Sequence, residues 1–224
     1  MLDRKTESIE FWFKREPSNL AKVLDYLYGG FMTQVLSKQY QDDRITYHGM
    51  TWRQFKLIDS AFENSKGVRI SFYKGALEIV STSVDHEFIK TMIGALLEFY
   101  CFEIELEIFP SGSCTQKIEG EVSLQADESY SFDRLKPIPD LSIEVVMTSG
   151  GVDKLKRYQA LGTPEVWFWE DGMLRLYRLR DREYHQIARS EWLPDLDLEL
   201  FRQSTLMSSL LVAKRALRQG QLSN

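Results

Sequence analysis

Residues 139–169, PDLSIEVVMTSGGVDKLKRYQALGTPEVWFW, join four features in a row. A Pro-Asp pair leads into a β-branched run (Ile143, Val145, Val146), the run breaks at Ser149-Gly150-Gly151, a short helical pattern follows, and a second apolar strand ends at Trp169. Strand, crossover helix and strand in that spacing predict an α/β arrangement. The first strand carries one carboxylate, Glu144. A carboxylate inside a segment that otherwise belongs in a core is unfavourable unless it is paired or holds a cation, so Glu144 marks a candidate site.

Working outward, the chain has 224 residues, enough for one generous domain with terminal additions. The boundaries read as a helical N-terminal extension over 1–50, a core over 51–196 and a helical tail over 197–224. The first apolar residues are interleaved with charges, and no apolar run approaches the ~18 residues of a membrane span, so the chain is expected to be cytoplasmic with no membrane partner. A net charge of −5 argues against a surface that grips a polyanion everywhere, but leaves room for a local basic groove. Cys101 and Cys114 lack metal-ligand spacing and read as reduced thiols.

Upstream, Ser18 is positioned to cap a helix through about Tyr28, and a second helix starts after Thr51, with Trp52, Phe55, Leu57 or Ile58, and Phe62 as anchors. VRISFY and ALEIVS form a hairpin over Lys74-Gly75. After Asp85 a helix carries an apolar stripe to Cys101, with His86 in its first turn, where local hydrogen bonding is the simplest reading. FEIELEIFP, SCTQKIEG and EVSLQADESYSF read as three strands. In the first, Phe102, Ile104, Leu106 and Ile108 face inward and three glutamates face water. Downstream, EVWFWED, MLRLYRLR and REYHQIAR form a meander turning at Asp171-Gly172, and Leu200–Gln219 has loose helical periodicity through Leu206, Leu210, Leu211 and Leu217.

Asp127, near the end of EVSLQADESYSF, and Glu144 are close enough in sequence to sit on neighbouring strands. Two carboxylates so placed suit Mg²⁺ or Mn²⁺. At about 100° per residue, Lys154 and Tyr158 share the sheet-facing side of the helix after Gly151, whereas Lys156 and Arg157 point elsewhere. Lys154 is therefore positioned to meet Glu144 or to orient a water, or it covers apolar surface with its stem. Asp140 reads first as a turn carboxylate and second as a ligand.

The run PDLSIEVVMTS…DKLKRYQALGTPEVWFW…GMLRLYRL closely resembles the Uma2 family (DUF820), common in cyanobacteria and similar to PD-(D/E)XK restriction-endonuclease-like nucleases. The similarity extends through KGALEIVS, which carries Glu78, to His86, and through QADESYSF, covering roughly residues 51–196. It implies an α/β (α+β) fold with a mixed β-sheet core flanked by helices. It also implies metal ligation by Asp127 and Glu144, with Lys154 replacing the lysine expected where Val146 stands, and Glu78, His86, Asp140 and Tyr158 as secondary candidates. The implied reaction is DNA phosphodiester hydrolysis with Mg²⁺ or Mn²⁺, water being activated by metal and Lys154. A nuclease-like fold kept as a DNA-binding or protein-interaction module is the other reading. Apolar residues toward the termini (Trp12, Phe13, Phe31, Trp192) suggest a homodimer.

Overall fold

The computed structural model describes residues 42–65, 67–147 and 151–221, with backbone only for 151–153 and 221. The helix expected at residues 18–28, as well as Trp12, Phe13 and Phe31, lies outside them. The described chain forms eleven strands and five helices in an α+β fold. Strand β1 (Asp43–Tyr47) falls where the end of a helical extension was expected. Helix α1 (Trp52–Ala61) starts at Thr51, whose side chain and that of Gln54 form a reciprocal capping box. Phe55 anchors it, while Leu57 and Phe62 are exposed.

Strands β2 (Val68–Tyr73) and β3 (Ala76–Ser81) meet at a two-residue turn in which Lys74 (φ 45°) and Gly75 (φ 82°) are both left-handed, the geometry a tight hairpin requires. Period-two alternation gives this hairpin two faces. Ile70, Phe72, Leu77 and Ile79 pack with α1, which leaves Arg69, Ser71, Glu78 and Val80 on the other side. With β5 (Thr115–Ile118) and β6 (Val122–Gln125) the hairpin belongs to an antiparallel five-stranded sheet ordered β1-β3-β2-β6-β5.

The second sheet has six strands, β11-β10-β9-β8-β7-β4: β4 (Ile108–Pro110), β7 (Glu128–Phe132), β8 (Leu141–Val146), β9 (Glu165–Glu170), β10 (Met173–Arg180) and β11 (Glu183–Ile187). It is mixed, because β8 and β9 run parallel and every other pair is antiparallel. Parallel neighbours need a crossover, and α3 (Gly151–Leu161) supplies it. Both faces of β8 are buried, so it reads as continuously apolar around Glu144. Leu141, Ile143 and Val145 join the main core with Trp167 and with α2 (Val84–Glu103), α4 (Leu198–Thr205) and α5 (Leu210–Gln221). Val146 packs on the opposite side against Tyr158 and Leu161 of α3.

Three expectations need correction. EVSLQADESYSF is two strands in different sheets, with Asp127 at the joint between β6 and β7. FEIELEIFP is mostly not a strand: α2 continues to Glu103, the chain turns at Glu105 (φ 55°), and Phe102 and Ile104 are exposed rather than inward. The α2 helix had more residues to add than the alternation suggested, and a helix end can mimic period two over a short span. The C-terminal tail is two helices rather than one, and Leu206, Leu210 and Leu211 face outward. Phe201, Ala213 and Leu217 make it part of the main core. Among the described residues no helix is long and apolar enough to cross a membrane.

Candidate active site

The site lies where the polar face of the β2–β3 hairpin meets the α3 side of β8. Glu144 projects to that side and is 2% exposed. Lys154, in the first turns of α3, donates from Nζ to Glu144 Oε2 at 2.7 Å, and Tyr158, one turn later, donates from its hydroxyl to Oε1 at 2.5 Å. The helical spacing that puts residues 154 and 158 on one face therefore delivers two donors to one carboxylate. Burial pushes the Glu144 carboxyl up, but the Lys154 ammonium, its hydrogen bond, the Tyr158 hydroxyl and the charge of Arg69 together hold it below the usual range. Tyr158 is driven the other way by burial and by the adjacent carboxylate, so it stays a neutral donor.

Asp127 brackets Glu144 along the backbone. Its own N–H donates to the carbonyl of Ile143 at 3.0 Å, and its Oδ2 accepts from the N–H of Val145 at 2.6 Å. The antiparallel register Glu128↔Ile143, continued by one residue, sets Asp127 across from Glu144. Its Oδ1 is shared by His86 Nε2 at 2.8 Å and the guanidinium of Arg69.

His86 is not a locally bonded helix-end histidine. Ser83 caps α2 through the His86 N–H, which turns the ring inward to join Asp127 on one side and Asp42 Oδ2, at 2.8 Å, on the other. Asp42 also accepts from the Ser83 N–H. Burial raises its pKa, but these bonds and the nearby imidazole outweigh burial and hold it ionised.

Glu78, on β3, is held by Arg157 Nη1 at 3.1 Å and lies 3.8 Å from Arg44. Arg157 also reaches Ser71, directly across the hairpin from Glu78, so it is turned into the site and not away from it as the helical wheel suggested. The structure thus brings together Asp127, Glu144, Lys154, Tyr158 and His86, with Glu78 on the facing hairpin. Asp140 is elsewhere: its carboxylate accepts from the Phe132 N–H at 2.8 Å and from Lys136 at 2.7 and 2.9 Å, which makes it a turn-fixing group. Sequence reasoning missed Asp42, Arg44, Arg69, Ser71 and Arg157. Only the polar positions of an alternating hairpin pointed to Arg69 and Ser71.

The Gly-x-Pro-Glu-x-Trp segment is scaffold rather than chemistry. Gly162 (φ 77°) ends α3, and the buried Glu165 accepts from the indole of Trp167 at 2.7 Å and from the Glu191 N–H at 3.1 Å. Trp192 stacks on Phe132 at 4.7 Å between centroids, so it does not belong to an open apolar patch.

In donor chemistry the two acids suit a hard divalent ion: both are buried carboxylates, Glu144 on β8 and Asp127 beside it at the joint between β6 and β7. All four of their oxygens nevertheless accept from protein donors, and among the described residues no group of three His, Cys, Asp or Glu side chains is arranged to hold a metal. An ion shared by Asp127 and Glu144 would have to displace donors from both carboxylates, the Arg69 guanidinium on Asp127 among them.

Comparison with known proteins gives three findings. No curated protein matches the chain. A solved structure described as a "putative nuclease belonging to DUF820", from Anabaena variabilis, is similar at 15% identity and a TM-score of 0.39, over 66% of this chain and 90% of that one. The model of the Uma2 family, described as "Putative restriction endonuclease", matches residues 52–207, from the first residue of α1 to just beyond α4. That match spans both sheets apart from β1 and all of the site except Asp42 and Arg44, and the chain accordingly belongs to the Uma2 family.

Proposed function

We propose that the chain is a metal-dependent endonuclease that hydrolyses DNA phosphodiester bonds at Asp127, Glu144 and Lys154. The observation that carries this reading is the Lys154 ammonium on the carboxylate of Glu144, on a strand flanked by Asp127. An acid-acid-lysine set on adjoining elements is what phosphodiester hydrolysis needs for ligation and charge stabilisation. Asp127 and Glu144 would hold Mg²⁺ or Mn²⁺, which supplies Lewis acidity at the phosphate and lowers the pKa of water. Lys154 orients the attacking water against Glu144 and offsets the negative charge that builds on the phosphate oxygens. Tyr158 fixes the Glu144 carboxylate, and His86, backed by Asp42, fixes that of Asp127.

The electrostatics of the cleft leave room for a DNA phosphate: Arg44, Arg69, Lys154 and Arg157 balance the carboxylates of Asp42, Glu78, Asp127 and Glu144, so the cleft is locally neutral on a chain of net charge −5. A homodimer belongs to the same proposal, since two sites suit two strands. Exposed Phe102, Leu211 and Val212 are in keeping with a covered face, and light scattering at micromolar concentration is expected to give twice the chain mass.

Supercoiled plasmid incubated with Mg²⁺ or Mn²⁺ is expected to be nicked and linearised, and EDTA to stop it. One observation favours the other reading, a nuclease fold that binds without cutting: Val146, where the family pattern has lysine, is packed among apolar residues and supplies no amine. Intact plasmid with either ion, together with a DNA mobility shift, would establish that reading instead.

A further inference from the structure

Asp127 carries a cation of its own. Arg69 reaches across from β2, in the other sheet, and places Nη1 on Asp127 Oδ1, while its Nη2 lies 3.5 Å from Glu87 Oε1 in the first turn of α2. The Arg69 side chain is only 16% exposed, so its charge is poorly screened, whereas that of Glu87 is 44% exposed and faces the solvent side. Lys154, the cation on α3 that faces β8, holds Glu144, so the two acids have separate partners. The charge of Arg69 is felt at Glu144 as well.

We infer that Arg69 sets the metal affinity of the site, because its guanidinium holds the position on Asp127 that a divalent ion takes and the two are mutually exclusive. This rests on the reading of Asp127 as a metal ligand. A carboxylate oxygen that already has His86 and a guanidinium at contact has no open approach for an ion, and a poorly screened guanidinium beside a dication is strongly repelled. Release needs no rebuilding of the fold, since Glu87 already touches the second terminal nitrogen and can keep the guanidinium when Nη1 leaves. Metal binding is thereby reduced by the fraction of molecules in which Arg69 is seated.

Calorimetric titration of the full chain with Mn²⁺, and separately with Mg²⁺, tests this with wild type, Arg69→Met and Asp127→Asn. Arg69→Met keeps most of the side-chain volume and removes the charge. Its dissociation constant is expected to fall by about tenfold or more, the factor for a seat occupied about nine-tenths of the time; Asp127→Asn is expected to lose binding. If Arg69→Met binds no more tightly while Asp127→Asn still loses the ion, the role of Arg69 is overturned and Asp127 remains a ligand. Absence of binding in both wild type and Arg69→Met overturns the two together. A second measurement uses the wild-type fold: the Arg69 Nε–H resonance, assigned by its loss in Arg69→Lys, is expected to shift on saturation with Mg²⁺ and to stay in place in Asp127→Asn. A resonance unmoved by bound Mg²⁺ overturns the inference.

Discussion

Exchanging Lys154 for methionine keeps an unbranched side chain on α3 and strips the nearest cation from Glu144. The glutamate is 2% exposed, so its charge would be left with the Tyr158 hydroxyl and the more distant Arg69. Removing one partner of a buried ion pair destabilises by about 3–5 kcal/mol. A domain of this kind has roughly 5–15 kcal/mol in all, so the variant is expected to fold with a reduced margin. The pH dependence separates loss of the charge from loss of packing. In the intact protein burial raises the Glu144 pKa, but Lys154 first, then Tyr158 and Arg69, bring it below the usual value. A carboxyl lowered in this way contributes stability above its unfolded pKa of about 4.3, and that stability is lost as pH falls through the folded value. Without Lys154 burial prevails, the folded pKa rises above the unfolded one, and the sign reverses: the variant gains stability as pH falls. Urea unfolding in EDTA, followed by circular dichroism, is expected to show a gap from wild type of about 3–5 kcal/mol at about pH 7.5. The gap is expected to narrow to about 1–2 kcal/mol at about pH 4.5 as Glu144 takes up a proton. An equal gap at the two pH values, or one below about 1 kcal/mol at the higher, would refute the account of Glu144 as a buried charge held by Lys154.

Replacing His86 by alanine leaves Asp42 and Asp127 without the ring between them, and denaturant midpoints are expected to report a loss of about 3 kcal/mol or more; an unchanged midpoint would mean that the bridge is not formed in solution. Gly75→Ala puts a side chain at φ 82°, a strain of roughly 1–2 kcal/mol, and its melting temperature is expected to drop where Gly94, outside the left-handed region, would not share that cause. Cys101 is buried, and burial with the nearby Glu98 charge pushes its thiol up to about 12, so Ellman's reagent is expected to find it silent until the protein unfolds. Rapid labelling of Cys101 in the native protein would place the α2 face away from the main core.

Local chemistry was legible in the chain. The Lys74-Gly75 and Asp171-Gly172 turns, the Thr51 start and the inward face of α3 each depend on a few consecutive residues, and the structure has them where turn propensity, capping and helical spacing put them. What depends on distant pairing was not. Asp42 and Arg69 reach the site only because β1 and β2 share a sheet facing α3 and β8, and no periodicity within either strand shows which acid they meet. The joint at Asp127 was hidden because residues 122–132 are strand-like throughout; the change of sheet comes from the tertiary partners. Arg157 illustrates a further limit: a helical wheel assumes one sheet-facing side, whereas α3 lies between β8 and the β2–β3 hairpin and buries polar groups toward both.

The central claim is that Glu144 and Lys154 act as one unit in phosphodiester cleavage. Single-turnover plasmid nicking by wild type, Glu144→Gln, Lys154→Met and the double variant, with Lys156→Met as the outward-facing control, tests it most directly. Each single change is expected to slow nicking by about 100-fold or more, the double variant hardly further, and Lys156→Met to cut like wild type. Losses that multiply in the double variant, or a Lys154→Met rate equal to that of Lys156→Met, would contradict the claim.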